Sequence, residues 1–132
     1  MYLLDTTIVS FAVRNDPVVE LYDTEMQGDE PKFVSVQTIG ELLIWAEKRN
    51  WGPSRLAKLR ADASKYSVLS IDSGTAEIYS KVRVGADRLG RALSSTDAWI
   101  LATAVQYELT LVTHDRDMTV GTQLGAKVVC RV

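Results

Sequence analysis

The chain predicts an α/β fold, a three-layer α/β/α sandwich around a central, mainly parallel sheet of five strands. Three observations carry this. Short strand-like runs alternate with helical periodicity along the whole length, an order that needs crossovers and so favours parallel strands. The strand candidates are apolar on both alternations, as a sheet covered on two faces requires. Carboxylates recur where those runs stop, and open α/β sheets bind ligands outside the carboxyl ends of their strands.

The elements follow in order. Tyr2 to Asp5 (YLLD) is an apolar run closed by an acid, the first strand. Thr6 to Arg14 reads as a helix, with Ile8, Phe11 and Ala12 at the i, i+3, i+4 spacing. Asp16 and Pro17 supply an N-cap and a first-position proline, so a second helix is expected from there. The break GDEP precedes the second strand, Lys32 to Val36 (KFVSV). Gln37 to Arg49 places Ile39, Leu42, Leu43 and Ala46 on one helical face. After the break WGP, Ser54 to Tyr66 reads as a basic amphipathic helix. Ser67 to Asp72 is the third strand, and Ser73 to Leu89 is a helix despite Gly74 and Gly85. Ser95 to Glu108 is the strongest helix. LTLVT (109–113) is the fourth strand, and AKVVCRV (126–132) the fifth.

The 132 residues suit one domain spanning 1–132. The first ten residues lack a basic leader and carry Asp5 inside a short apolar run, so no signal peptide is expected there. No stretch approaches the ~20 apolar residues of a membrane span. The lone Cys130 excludes an internal disulfide and reads as a small strand residue. A cytoplasmic protein is the expectation. The net charge of −2 conceals a gradient: −7 over residues 1–47, +6 over 48–91 and −1 over 92–132. A basic middle is compatible with a nucleic-acid surface, though charge alone favours an ordinary solvated helical face.

Four carboxylates sit where the topology would bring them together. Asp5 closes the first strand and Asp115 follows the fourth, with Asp117 two residues on. Either aspartate also suits a turn or an N-cap. Asp97 lies in the first turn of its helix, capped by Ser94 or Ser95, yet shares a face with Leu101 and Ala104. A carboxylate turned toward a core is costly unless its charge is compensated. Glu41 stands in the first turn of the helix after the second strand, where it would also read as an ordinary exposed glutamate. Clustered carboxylates repel, and a hard divalent cation such as Mg²⁺ or Mn²⁺, which prefers oxygen donors, relieves that repulsion. There is no Cys/His cluster for zinc, no phosphate-binding glycine loop and no serine-nucleophile elbow. The lone His114 reads as a turn residue. An acid-only site with basic surroundings points to metal-assisted phosphodiester hydrolysis.

LLDTTIV, VQTIGELL, GRALSSTDAWILATAV and LTLVTHDRDM, in that order, resemble the PIN-domain ribonucleases, in particular the VapC toxins of bacterial toxin–antitoxin pairs. The resemblance spans essentially the whole chain and implies a PIN-like fold. It implies a Mg²⁺- or Mn²⁺-dependent endoribonuclease with Asp5, Glu41, Asp97 and Asp115 as its catalytic acids. The metal set would be Asp5, Asp97 and Asp115, with Asp117 as a second candidate. Thr6 and Thr113 match the small hydroxyl residues lining the family's site. Two departures stand out. THDRDM is shorter than the family's TRNxxDF form, which leaves the last acid open between Asp115 and Asp117, with Asp115 the nearer. The loop GRALSST lacks the proline common before the third acid. The resemblance also implies an RNA substrate, a VapB-like antitoxin as partner and a homodimer. Trp45, Trp51 and Trp99 serve either such surfaces or the core. Among the bases Arg55, Lys58, Arg83, Arg88 and Arg91, the last two are the expected substrate contacts. Two other readings remain: a receiver-like phospho-acceptor module, with Asp72 as acceptor, and a catalytically silent RNA-binding domain.

Overall fold

In the computed structural model, which describes residues 1–132, five strands form one sheet: β1 (Tyr2–Leu4), β2 (Lys32–Ser35), β3 (Ser67–Leu69), β4 (Thr110–Thr113) and β5 (Lys127–Cys130). Their order is β3-β2-β1-β4-β5 and every pairing is parallel. The expected sandwich is present, with a sheet that is parallel throughout. From β1 the chain fills one side of the sheet, then returns past β1 to add β4 and β5. That reversal between β1 and β4 is where a parallel sheet opens a crevice at its carboxyl edge.

Six α-helices cover the sheet: α1 (Thr6–Val13), α2 (Asp23–Met26), α3 (Val36–Lys48), α4 (Pro53–Ala63), α5 (Ser73–Arg88) and α6 (Ser95–Gln106). Alternation along the strands sorts them. Leu3 and Leu111 pack with Val82 and Ala86 of α5 and with Ile100 and Leu101 of α6. Their neighbours Leu4 and Val112 point the other way, onto Ile8 and Val9 of α1, Leu42 of α3 and Leu59 of α4. The basic segment 48–91 is thereby divided: α4 belongs to one layer and α5 to the other. The positive stretch of sequence is not one positive face.

The segment expected to form a helix from Pro17 is a 3-10 turn, Pro17–Tyr22, running into the four-residue α2. Asp16 caps it as expected, accepting from the Val18 N–H at 3.0 Å. β-Branched Val18 and Val19 fit an α-helix poorly, and the tighter winding delivers Tyr22 fully buried into the core. Four α-helices end with a residue in the left-handed region, Asn15, Asn50, Gly90 and Glu108. Each is followed by a residue whose N–H reaches back to a carbonyl of the last turn, as Asp16 does to Phe11 at 2.9 Å.

β5 stops at Cys130, two residues before the expected end. Arg131 leaves the strand line to embrace Glu25, whose carboxylate is only 2% exposed. Its backbone N–H also donates to the Tyr22 hydroxyl at 2.9 Å. Arg131→Ala strips a buried carboxylate of its cation. Solvent reaches the guanidinium, whose side chain is 41% exposed, so the expected loss is ~2 kcal/mol, below that of a fully buried pair. Urea unfolding at neutral pH measures it; an unchanged midpoint would show the pair to be idle.

Candidate active site

Two strand ends build the floor of one cleft. The Asp5 N–H continues the sheet by donating to the Val112 carbonyl at 2.9 Å, which sets Asp5 beside the last residue of β4. Asp5 stands at the N-cap position of α1, yet its side chain makes no capping hydrogen bond. It turns inward instead, 3% exposed, and its Oδ2 accepts from the hydroxyls of Thr113 at 2.7 Å and Thr7 at 3.0 Å. Each threonine then accepts a backbone N–H: Thr113 from Asp115 at 3.1 Å, Thr7 from His114 at 3.0 Å. Two hydroxyls thus tie the ends of β1 and β4 through one carboxylate.

Glu41 is held from the α3 side. That helix begins at Val36, so Glu41 falls in its second turn rather than its first. Its Oε1 accepts from the Thr6 hydroxyl at 2.6 Å. Thr6 has one proton, spent on Glu41, so the 3.0 Å contact with Thr38 is donated by Thr38. Asp97 lies in the first turn of α6, with Ser94 as the N-cap accepting from its N–H at 3.2 Å. Asp115 caps the 3-10 turn Arg116–Gln123, its Oδ1 accepting from the Asp117 N–H at 2.9 Å.

Asp5, Glu41, Asp97 and Asp115 line one cleft of about 350 Å³, together with Thr6, Thr7, Ser10, Phe11, Arg14 and Trp45. No imidazole or thiol lines it, so its donors are oxygens. The carboxyls carry the mark of crowding. Burial, followed by the charge of Asp5 and then of Asp115 and Glu41, pushes Asp97 up to about 6. Burial also raises Asp5, against the lowering effect of the Thr113 and Thr7 hydroxyls. It raises Glu41, against the hydrogen bond from Thr6 and with the charge of Asp5 adding to the rise. In this arrangement Asp5 and Glu41 are turned to their threonines and Asp115 to the Asp117 N–H, and no three of the four stand close enough together to grip one ion. The donor chemistry nevertheless suits a hard cation: oxygen-only, multiply acidic, and repulsive without one.

The remaining expected site residues fall elsewhere. Asp117 is exposed and lines a separate depression with Gly90, Arg91 and Ala92; it meets the cleft only through its backbone N–H to Asp115. Thr113 is fully buried, so its hydroxyl serves Asp5 rather than a substrate. Arg88 is exposed on the last turn of α5. Gly90, at φ 68°, turns the chain so that Arg91 packs against the 3-10 turn, donating to the Arg116 carbonyl and the Thr119 hydroxyl. Neither arginine lines the cleft. Arg55 lies over the Trp51 ring, Lys58 pairs with Asp62, and Arg83 donates to Tyr79 and Ser95. Asp72, the acceptor of the receiver-like reading, is an exposed N-cap of α5, locked in a capping box with Thr75. His114 lies off the cleft lining, with its Nδ1 2.7 Å from the Tyr22 hydroxyl and its ring edge-on to Phe11 and Tyr22.

Sequence reasoning missed Thr7, Ser10, Phe11, Arg14 and Thr38, and left Trp45 unplaced. A signal was there. Thr7, Ser10, Phe11 and Arg14 follow the i, i+3, i+4, i+7 pattern of one α1 face. Thr38, Glu41 and Trp45 recur at i, i+3 and i+7 on α3. A polar and aromatic stripe on each of two helices, each starting at a strand end of the carboxyl edge, outlines the cleft walls.

The family model of the PIN domain matches residues 2–120. Toxin FitB of Neisseria gonorrhoeae is 32% identical over 124 residues, covering 87% of this chain and 88% of that protein. The tRNA(fMet)-specific endonuclease VapC of Shigella flexneri is 30% identical over 116 residues, with 86% of each covered. The crystal structure of FitAcB from Neisseria gonorrhoeae superposes with a TM-score of 0.78 at 26% identity, covering 97% of this chain and 96% of that one. VapBC2 from Rickettsia felis, bound to a DNA fragment from the promoter, gives 0.83 at 18% identity, with 98% and 97% covered. The matched span runs from β1 to the turn after β4 and so includes every carboxylate of the cleft, and on that footing the chain belongs to the PIN-domain family, among toxins of the FitB and VapC kind.

Proposed function

We propose that this PIN-domain nuclease is the toxin of a toxin–antitoxin pair and hydrolyses RNA phosphodiesters with a divalent cation, Mg²⁺ or Mn²⁺, held by Asp5, Glu41, Asp97 and Asp115. The observation that carries the reading is the cleft itself: four carboxylates from four parts of the chain line one cavity that has no nitrogen or sulfur ligand. The relative named as a tRNA-specific endonuclease supports RNA as the substrate class. By resemblance to the family, a VapB-like antitoxin is the protein partner and the toxin acts as a cytoplasmic homodimer. No helix is long and apolar enough to cross a membrane.

A bound divalent cation supplies a water of lowered pKa and offsets the charge that develops on the phosphoryl group. The rest is done by the chain. Thr7 and Thr113 fix Asp5 through Oδ2, so Oδ1 is taken by neither. Thr6, steadied by Thr38, fixes Glu41. The Asp117 N–H fixes Asp115, which is the part this reading gives Asp117. Asp97 rides on the start of α6, where burial first and the charges of Asp5, Asp115 and Glu41 after it disfavour its ionised form; a bound cation would favour that form.

The test is direct. The purified protein should cleave RNA with Mg²⁺ or Mn²⁺ and stop in EDTA, leaving 5′-phosphate and 3′-hydroxyl ends. Undiminished cleavage in EDTA would remove the metal from the reading. Absence of cleavage of any RNA at any metal concentration would remove the nuclease.

A further inference from the structure

A cation held by the four acids would serve the reacting phosphate, but the flanking phosphates of a polyanionic strand lie beyond it and need positive charge of their own. Ten residues line the cleft, and one is a cation, Arg14. Despite its acidic surroundings Arg14 forms no ion pair with any of the four carboxylates; the ion pairs of the molecule lie elsewhere. Two aromatic rings hold it instead. Its guanidinium carbon lies 5.4 Å from the Phe11 ring centroid and 5.7 Å from that of Trp45. The Nε–H leans on the Ser10 carbonyl at 3.4 Å, which orients the group and leaves both terminal nitrogens without a partner. A planar guanidinium held by aromatic rings, with its fork free, is prepared for bidentate contact with a phosphate. Arg49 approaches the same Trp45 ring at 5.3 Å and extends the positive rim.

We propose that Arg14, seated against Phe11 and Trp45 at the rim of the acid cleft, clamps an RNA phosphodiester that flanks the scissile one. This rests on the reading of the cleft as an RNA-cleaving site. Asp5 opens α1 and Arg14 closes it, about 13 Å of helix apart, which suits a neighbouring phosphate rather than the reacting one. Arg14 is a binding residue: it secures the strand and leaves the reaction chemistry to the acids.

The experiment measures binding apart from cleavage. The Asp97→Asn protein is titrated into a fluorescein-labelled single-stranded RNA in Mg²⁺, and anisotropy gives the Kd across a salt series. Arg14→Ala in that background should weaken binding roughly tenfold and lower the salt slope by about 0.7, the share of one phosphate contact on a single strand. Arg14→Lys should keep the salt slope while losing part of the affinity, because charge survives and the fork does not. Lys127→Ala, at the opposite edge of the sheet, should change neither. Binding to RNA with an Arg14→Ala Kd and slope equal to those of the parent overturns the clamp and leaves the nuclease reading standing. No RNA binding by the parent at low salt overturns both.

Discussion

Asp97→Asn is expected to lower RNA cleavage on the order of 10³-fold or more while making the metal-free protein more stable. The two effects share a cause. Asp97 is pushed up to about 6 by burial first and then by Asp5, Asp115 and Glu41, so its ionised form is unfavourable in the fold. A carboxyl raised above its unfolded value of 3.8 adds stability while neutral; that contribution is full below about 4 and is lost as pH rises through about 6. The side chain is only half-buried and solvent screens it, so the loss is roughly 1–2 kcal/mol rather than the full value of the shift. Urea unfolding in EDTA from pH 4 to 8 should therefore show wild-type stability falling across that window. The amide variant should flatten the fall and exceed wild type at pH 8. Added Mg²⁺ should raise the melting temperature of wild type, by the usual linkage of binding to folding, and barely move that of the variant. Cleavage by Asp97→Asn within tenfold of wild type would take Asp97 out of the site. A flat wild-type profile in EDTA would take away the unfavourable ionisation of Asp97.

The layered fold was legible because parallel sheets demand runs that are apolar on both faces, and Tyr2–Leu4 and Leu109–Thr113 provide them. The order of the strands was not legible in periodicity. Yet the carboxyl edge could be inferred without it, since all strands of a parallel sheet end on one side. That edge points to Asp5, Asp115 and, less sharply, Glu41; Asp97 is marked by sharing an apolar helical face, and the family motifs join the four, which line one cleft. Their neighbours were harder. Arg88 and Arg91 are expected contacts only as bases able to meet an RNA backbone, and neither lines the cleft: Arg88 ends α5 in solvent, and the turn at Gly90 sets Arg91 against the 3-10 turn. Arg14 looked like the last residue of an ordinary amphipathic helix. What gives it a role is the approach of Trp45 from a different helix, and no local pattern on α1 records that approach. Charge along the chain says little about a surface for a related reason: consecutive basic helices lie on opposite faces of the sheet, through the burial of Leu59 on one side and Val82 on the other.

Thr113→Val should cost ~2–3 kcal/mol at pH 8 and distinctly less at pH 5, although the two side chains have nearly the same shape. The hydroxyl works in two directions. It donates to Asp5 Oδ2 and accepts the Asp115 N–H; Thr113 is fully buried, and Asp5 is nearly so where it meets the cleft. Valine leaves a buried carboxylate with Thr7 as its only hydroxyl donor and strands a backbone N–H. The penalty falls mainly on the charged carboxylate. Asp5 already stands above its usual value because burial outweighs the two hydroxyls, and loss of the stronger one raises it further. Stability lost to an ionised Asp5 appears as pH rises, so the variant and wild type should converge toward pH 5 and part toward pH 8 in EDTA. In cleavage assays the same shift moves the acid limb of the rate profile to higher pH, since Asp5 must be ionised to accept a cation. Thr113→Ser keeps the hydroxyl and removes a methyl; it should cost ~1 kcal/mol at every pH and leave the acid limb in place. The contrast separates packing from hydrogen bonding. If valine and serine behave alike in both assays, then the threonine merely fills space. If valine alone moves the acid limb, then one buried hydroxyl at the end of β4 sets the charge of a carboxylate at the end of β1, and the adjacency of those two strands is itself part of the active site.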